Sequence, residues 1–123
     1  MSKRILVVED QEDNRQILRD LLSSVGYELI EAEDGEQGLA AASAHRPDLI
    51  LMDIQMPVLD GYETTRRIKA DPTLRNIPVI AVTSYALSGD EARIRAAGCT
   101  AYIAKPFSPR DLLAKVRELL PNA

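Results

Sequence analysis

The chain of 123 residues has 15 basic and 19 acidic side chains, and its formal net charge of −4 argues against non-specific binding to nucleic acid or to an anionic membrane surface. Hydrophobic residues make up 46% of the chain, which excludes a disordered chain, and the longest apolar runs have the length of a buried strand rather than of a membrane span. The length fits one domain over residues 1–123, and the single cysteine, Cys99, excludes an internal disulfide and fits a reducing compartment.

Five apolar runs alternate with five amphipathic segments along the chain, and no linker or low-complexity segment interrupts the pattern. The predicted strands, in chain order, are residues 5–8, 27–33, 49–52, 79–82 and 100–105. The first, third and fourth are continuous apolar runs, as expected of parallel strands that helices cover on both faces. The second and fifth are more polar, which is typical of edge strands.

Each amphipathic segment is predicted to form a helix. The predicted N-terminal caps are Asp10, Asp34, Ser88 and Ser108, and the third helix is predicted over residues 61–70. Asp34 and Ser88 begin capping-box sequences, and the first and fourth helices are expected to stop at Gly26 and Gly98. This βα alternation predicts an α/β fold with a parallel sheet between two layers of helices.

The residues that follow the predicted strands carry most of the reactive side chains. Right-handed crossovers place the carboxyl ends of parallel strands along one edge of the sheet, where open sheets bind their ligands. The side chains at these ends are Glu9, Asp10, Asp53, Thr83, Ser84 and Lys105. We therefore expect one pocket that combines carboxylates, hydroxyls and an ammonium group.

Three carboxylates in one pocket repel one another, so a cation is needed to offset their charge. An all-oxygen site favours Mg²⁺ or a similar hard ion such as Mn²⁺, and this suits phosphoryl transfer. A carboxylate can itself be the nucleophile, which would make Asp53 an aspartyl phosphate. Lys105 would then pair with a phosphoryl oxygen, and Thr83 would offer a hydroxyl to another.

Each of these residues has an ordinary alternative when it is taken alone. Asp10 could be no more than a helix cap, Thr83 a turn former, and Lys105 a solvated surface lysine. Their joint placement at the ends of different strands favours a functional site, because the ordinary alternatives would then have to coincide.

The sequence resembles the receiver domain of bacterial two-component response regulators from residue 3 to residue 120. The motifs that carry the resemblance are Ile5-Leu6-Val7-Val8-Glu9-Asp10, Leu49-Ile50-Leu51-Met52-Asp53-Ile54-Gln55-Met56-Pro57, Asp60-Gly61, Ala81-Val82-Thr83 and Lys105-Pro106-Phe107. Residues 89–91 and 98–103 also look like single-domain regulators of the cell-cycle type. The resemblance implies a flavodoxin-like, doubly wound sheet of five parallel strands in the order 2-1-3-4-5, flanked by five helices.

The resemblance also implies a role for each acidic residue of the predicted pocket. Asp53 is similar to the family's phosphoacceptor. Glu9 and Asp10 match the acidic pair that holds Mg²⁺, with Asp10 as the direct ligand, and Gln55 matches the position that lends its backbone carbonyl to the metal. Lys105 matches the lysine that pairs with phosphate.

Further residues match the parts of the family that transmit the signal. Thr83 and Tyr102 match the switch pair, in which the ring turns inward once phosphate captures the hydroxyl. The bond before Pro106 is expected to be cis. Gln55 and Tyr85 each lie two residues beyond a site residue, and from there they could set the lifetime of the phosphoryl group.

The function that this resemblance implies is phosphorelay signalling rather than enzymatic turnover. The donor would be a histidine kinase or a histidine phosphotransfer protein, and slow self-dephosphorylation would end the signal. Output would pass to a downstream protein through the fourth helix, fifth strand and fifth helix. We expect a cytoplasmic monomer or weak dimer that contacts neither nucleic acid nor membrane directly.

Three alternatives compete with a stand-alone receiver. Phosphatases with an aspartate nucleophile often carry a second aspartate two residues later, where this chain has Gln55, which cannot act as a general acid. A nucleotide-binding module would need a G-x-G-x-x-G motif after the first strand, where residues 9–13 are acidic and would repel a pyrophosphate. A receiver cut from a hybrid kinase or DNA-binding regulator would look much the same, although the start methionine and the tail at 120–123 favour a stand-alone protein.

Overall fold

The structure is a computed structural model, and it describes residues 3–56, 59–83 and 90–120. The strands are β1 (Arg4–Val8), β2 (Glu28–Ala32), β3 (Leu49–Asp53), β4 (Val79–Thr83) and β5 (Ala101–Ala104). The helices are α1 (Glu12–Ser24), α2 (Gly35–His45), α3 (Gly61–Ala70), α4 (Asp90–Ala97) and α5 (Pro109–Leu119). Neighbouring strands pair in parallel in the order β2-β1-β3-β4-β5, which confirms the predicted doubly wound α/β fold.

Successive strand residues point to opposite sides of the sheet, so its apolar strands present two apolar faces. Helices cover both of these faces. On one face, Val7 packs in a core with Leu22 of α1 and Leu112 of α5. On the other face, Val8 belongs to a core that includes Ile68 of α3, together with residues of α2 and α4. The sheet is therefore buried on both sides, and its carboxyl edge remains the place where polar side chains can gather.

Two of the four predicted N-terminal caps are confirmed. The Asp34 side chain accepts a hydrogen bond from the Gln37 N–H at 2.8 Å, and Ser108 Oγ accepts one from the Asp111 N–H at 3.1 Å. These bonds satisfy backbone donors that have no partner within the first turn of a helix. The cap predicted at Ser88 lies outside the described residues.

The cap predicted for α1 is wrong. Gln11 occupies the N-cap position of this helix, and its side chain makes no capping hydrogen bond. The Asp10 carboxylate lies instead among those of Glu9 and Asp53. The turn between β1 and α1 thus directs the Asp10 carboxylate towards those of Glu9 and Asp53 rather than onto the backbone of the helix.

Candidate functional site

Asp53 is the last residue of β3, and only 3% of it is exposed. The rest of the strand is apolar and buried, so a carboxylate here is costly unless donors or a cation bind it. Two donors reach its Oδ1 atom, the Gln55 backbone N–H at 3.2 Å and Lys105 Nζ at 3.3 Å. The structure thus places a buried but hydrogen-bonded carboxylate at the carboxyl end of a central strand.

Glu9 and Asp10 follow β1, the strand that lies beside β3 in the sheet. One carboxylate oxygen from each of them and one from Asp53 all lie within 4.8 Å of one another. Burial raises the pKa of Asp10, and hydrogen bonding with Glu9 and repulsion by its charge raise it further. Ionisation of Asp10 is therefore disfavoured, and a bound cation would relieve the repulsion.

Lys105 supplies one positive charge to this cluster. It follows β5, where its backbone N–H donates to the Thr83 carbonyl at 2.8 Å, and its bond to Pro106 is cis, as the resemblance implies. Its Nζ lies 3.3 Å from Asp53 Oδ1 and 3.5 Å from Glu9 Oε1. The ammonium is a point charge on a flexible stem, so it can follow a negative group that enters the pocket.

Thr83 ends β4 and is completely buried. Its Oγ1 accepts a hydrogen bond from Gln55 Nε2 at 2.8 Å, so Gln55 contacts Asp53 through its backbone and Thr83 through its side chain. Tyr102 of β5 pairs with Ala81 of β4 and is partly buried against the core on the α3 and α4 side of the sheet. Tyr85 lies outside the described residues.

Sequence reasoning missed two residues of α1 that contact Glu9. Asn14 Nδ2 lies 3.2 Å from Glu9 Oε1, and Arg15 Nη1 donates to the Glu9 backbone carbonyl at 2.8 Å. A signal was present for Arg15, because it lies on the same helical stripe as Leu18 and Leu22, which face the core. A charged residue on an apolar stripe is buried, and it therefore needs partners.

A cavity of about 350 Å³ opens beside the carboxylates. Its polar lining residues are Glu9, Asn14, Asp53 and Lys105, and apolar residues of the strands, α1 and the segment after β5 complete the wall. Carboxylate oxygens are the ligands that hard divalent cations prefer, so the donor set of Glu9, Asp10 and Asp53 fits Mg²⁺. The pocket thus combines room for a small group with a site for a cation.

A family model described as response regulator receiver domain matches residues 5–117 of this chain. The chain is 49% identical to the polar-differentiation response regulator DivK of Brucella anthropi over 123 residues, and 48% identical to that of Brucella ovis over the same length. In both cases the match covers 100% of each protein.

Solved structures of receiver domains superpose closely on the same fold. One is the receiver domain of sensor histidine kinase PA1611 from Pseudomonas aeruginosa, which is described with a magnesium ion coordinated in its active site cleft. It is 38% identical with a TM-score of 0.91, and the match covers 99% of this chain and 100% of that one. The chemotaxis protein CheY4 of Vibrio cholerae is 29% identical with a TM-score of 0.92, over 97% and 99% of the two chains. No helix in the described part of the chain is long and apolar enough to cross a membrane.

Proposed function

Since the chain belongs to the family of response regulator receiver domains, which act in phosphorelay signalling, we propose that it accepts its phosphoryl group on Asp53. The observation that carries this proposal is the surroundings of that carboxylate. Asp53 is buried at a strand end, Lys105 Nζ lies 3.3 Å from its Oδ1 atom, and two further carboxylates lie within 4.8 Å.

The transfer is a displacement at phosphorus. An electron pair of an Asp53 oxygen forms the new P–O bond while the P–N bond to the imidazole of a phosphohistidine breaks. The electron pair of the broken P–N bond leaves with the imidazole nitrogen, which takes up a proton from solvent. Lys105 leaves its carboxylate partners to pair with a phosphoryl oxygen, so the new negative charge meets a cation already present in the pocket.

Mg²⁺ or Mn²⁺ would be held by the carboxylates of Asp10 and Asp53 and by the backbone carbonyl of Gln55, with Glu9 beside them. When it is bound, the ion supplies positive charge that neutralises the carboxylates and the incoming phosphoryl oxygens. A bound cation would favour the charged form of Asp10 and so oppose the burial and the repulsion that raise its pKa.

The proposed output is a change of shape at Thr83 and Tyr102. A phosphoryl oxygen captures the Thr83 hydroxyl, and the partly buried ring of Tyr102 turns inward, which alters the surface of α4, β5 and α5. The weak anchoring of α4 supports this: within the described residues, its buried apolar side chains are Ile94 and Ala97. A helix with so little buried apolar area is displaced at small cost.

We place this activity in a single domain over residues 1–123 that works as a switch and not as a turnover enzyme. The donor is a histidine kinase or a histidine phosphotransfer protein, and the output partner is another protein. The domain acts in the cytoplasm as a monomer or weak dimer and does not contact nucleic acid directly. Slow hydrolysis of the aspartyl phosphate resets it.

The test is labelling with acetyl phosphate and Mg²⁺. We expect the wild type to take up one phosphoryl group and Asp53→Asn to take up none, because an amide is a poor nucleophile. Asp13→Asn is the matched control, since Asp13 is an exposed carboxylate at the start of α1 and lies outside the cluster. Label in the Asp53→Asn protein, or none in the wild type under conditions that label related receivers, would refute the proposal.

A further inference from the structure

Arg15 is the one arginine among the described residues that is buried, with 6% of it exposed. It lies on the stripe of α1 that includes Leu18 and Leu22 and faces the sheet. A buried guanidinium is costly unless hydrogen bonds and opposite charges satisfy its donors. The partners of Arg15 therefore indicate what role its buried guanidinium has on this apolar face.

These partners come from three elements. Nη1 of Arg15 donates to the Glu9 backbone carbonyl at 2.8 Å. Nη2 pairs with Glu12 of α1, and it also lies 3.3 Å from a carboxylate oxygen of Glu33. Nε lies 3.5 Å from Glu31 of β2. A planar guanidinium with donors in a fixed fork can hold several oxygen atoms at once. Arg15 therefore ties the residue after β1 to α1 and β2.

The Glu9 backbone is the part of the site that this arrangement holds. Its N–H donates to the Ala32 carbonyl at 3.0 Å and its carbonyl accepts from Arg15, so the peptide units on both sides of the Glu9 Cα are hydrogen-bonded. The Glu9 carboxylate accepts from the Gln11 N–H at 3.2 Å and from Asn14 at 3.2 Å. The backbone conformation at Glu9 also determines the direction in which the carboxylate of the next residue, Asp10, projects.

We propose that Arg15 is a positioning residue for the divalent-cation site. It fixes the backbone from which the carboxylates of Glu9 and Asp10 project, without contacting the cation itself. This inference rests on the proposed cation site. Residues that orient metal ligands from behind affect affinity strongly, and losing one typically weakens metal binding by about 10- to 100-fold.

A second effect opposes this one and has to be separated from it. Replacing Arg15 by an uncharged residue removes a positive charge near an acidic pocket, and on charge alone that would attract a cation more strongly. Arg19 offers the matched control. It pairs with Glu12 at 3.2 Å and with Glu31 at 2.8 Å, in the same charge network, and its bonds in the described structure do not include Glu9.

The experiment compares Mg²⁺ dissociation constants of the unphosphorylated wild type, Arg15→Met and Arg19→Met by calorimetric titration. Both variants lose one positive charge from the same network, so the difference between them reports the contacts that Arg15 makes and Arg19 lacks, those with Glu9 and Glu33. We expect Arg15→Met to bind Mg²⁺ at least about tenfold more weakly than Arg19→Met. Backbone amide shifts of Glu9 and Asp10 in NMR spectra are expected to move in the first variant and to stay near wild type in the second.

Equal Mg²⁺ affinities for the two variants would overturn the positioning role while leaving the cation site itself intact. A wild type that does not bind Mg²⁺ would overturn the site and the inference together. If Arg15→Met does not fold, the pair Arg15→Lys and Arg19→Lys decides the matter with charge unchanged. There Arg15→Lys is expected to bind Mg²⁺ more weakly, because one ammonium cannot reproduce the fork of donors, and equal affinities would refute the role.

Discussion

Gln55 contacts both Asp53 and Thr83 and so connects these two residues of the site. Its backbone N–H donates to Asp53 Oδ1 at 3.2 Å, and its side-chain amide donates to Thr83 Oγ1 at 2.8 Å. The amide therefore spans the space between the proposed phosphoacceptor and the proposed switch hydroxyl. We therefore expect this side chain to restrict the approach of water to a phosphoryl group on Asp53.

We predict that Gln55→Ala shortens the lifetime of the phosphoryl group. Removing the amide gives hydrolytic water access to the phosphoryl group, and it also removes the hydrogen bond that Gln55 donates to the Thr83 hydroxyl. The measurement is the rate of phosphate release after a pulse of acetyl phosphate. Gln37→Ala serves as the control, because Gln37 bonds the Glu33 N–H at the start of α2 and not the site. An unchanged rate in Gln55→Ala would show that the side chain does not govern hydrolysis.

α3 begins close to the backbone of Asp53, and it also contacts α4. Gly61 begins α3 and donates its N–H to the Ile54 carbonyl at 3.1 Å. A Cβ at this position would come within 2.4 Å of the Asp53 carbonyl oxygen, so only glycine permits this close approach. The next residue, Tyr62, is buried, and Arg93 of α4 lies over its ring at 4.3 Å from the centroid.

At the element scale, we predict that Arg93→Met loosens α4. An exposed cation–π contact contributes about 0.5 to 1 kcal/mol, which is a substantial part of the anchoring of a helix with two buried apolar residues. Amide hydrogen exchange over residues 90–97 is expected to become faster. Arg95→Met is the control, because Arg95 is exposed and pairs with Glu91 of its own helix. Equal exchange in both variants would argue against the Arg93 contact as an anchor.

The carboxylates of the site destabilise the folded state locally, and the apolar burial in the two cores offsets this. Buried apolar residues line both faces of the sheet, whereas the carboxyl edge holds three carboxylates close together. Burial and the neighbouring Glu9 raise the pKa of Asp10. A carboxyl group whose pKa is higher in the folded state favours folding only at low pH, and this contribution is lost as pH rises through the folded pKa.

At the scale of the whole molecule, we predict that Asp10→Asn stabilises the fold at pH 7 when divalent cations are removed by chelation. The substitution removes the charge that the folded state disfavours, so the gain in unfolding free energy should shrink as pH falls towards 3.8, the ordinary value for this carboxyl group. Denaturant unfolding at several pH values measures it, with Asp13→Asn as the exposed control that brings no gain. Added Mg²⁺ should stabilise the wild type more than Asp10→Asn, and a less stable Asp10→Asn protein at pH 7 would contradict the prediction.

Several features could be predicted because they depend on residues close together in the chain. Apolar runs and caps such as Asp34 and Ser108 are local, and parallel crossovers bring Asp53, Thr83 and Lys105 to one sheet edge in any fold of this class. The start of α1 was not predictable in this way, because local preference favours Asp10 over Gln11 at the N-cap position. In the structure Gln11 occupies that position without a side-chain bond, and the Asp10 carboxylate lies near those of Glu9 and Asp53.

The succession of strands and helices, the family resemblance and the residues at the strand ends could all be inferred from the sequence. Which atoms meet became clear in the folded chain: Lys105 lies between Asp53 and Glu9, the Gln55 amide bonds Thr83, and Arg15 lies behind Glu9. Such contacts join elements far apart in the chain. They depend on how each helix is rotated against the sheet and on side-chain rotamers, and local sequence patterns specify neither.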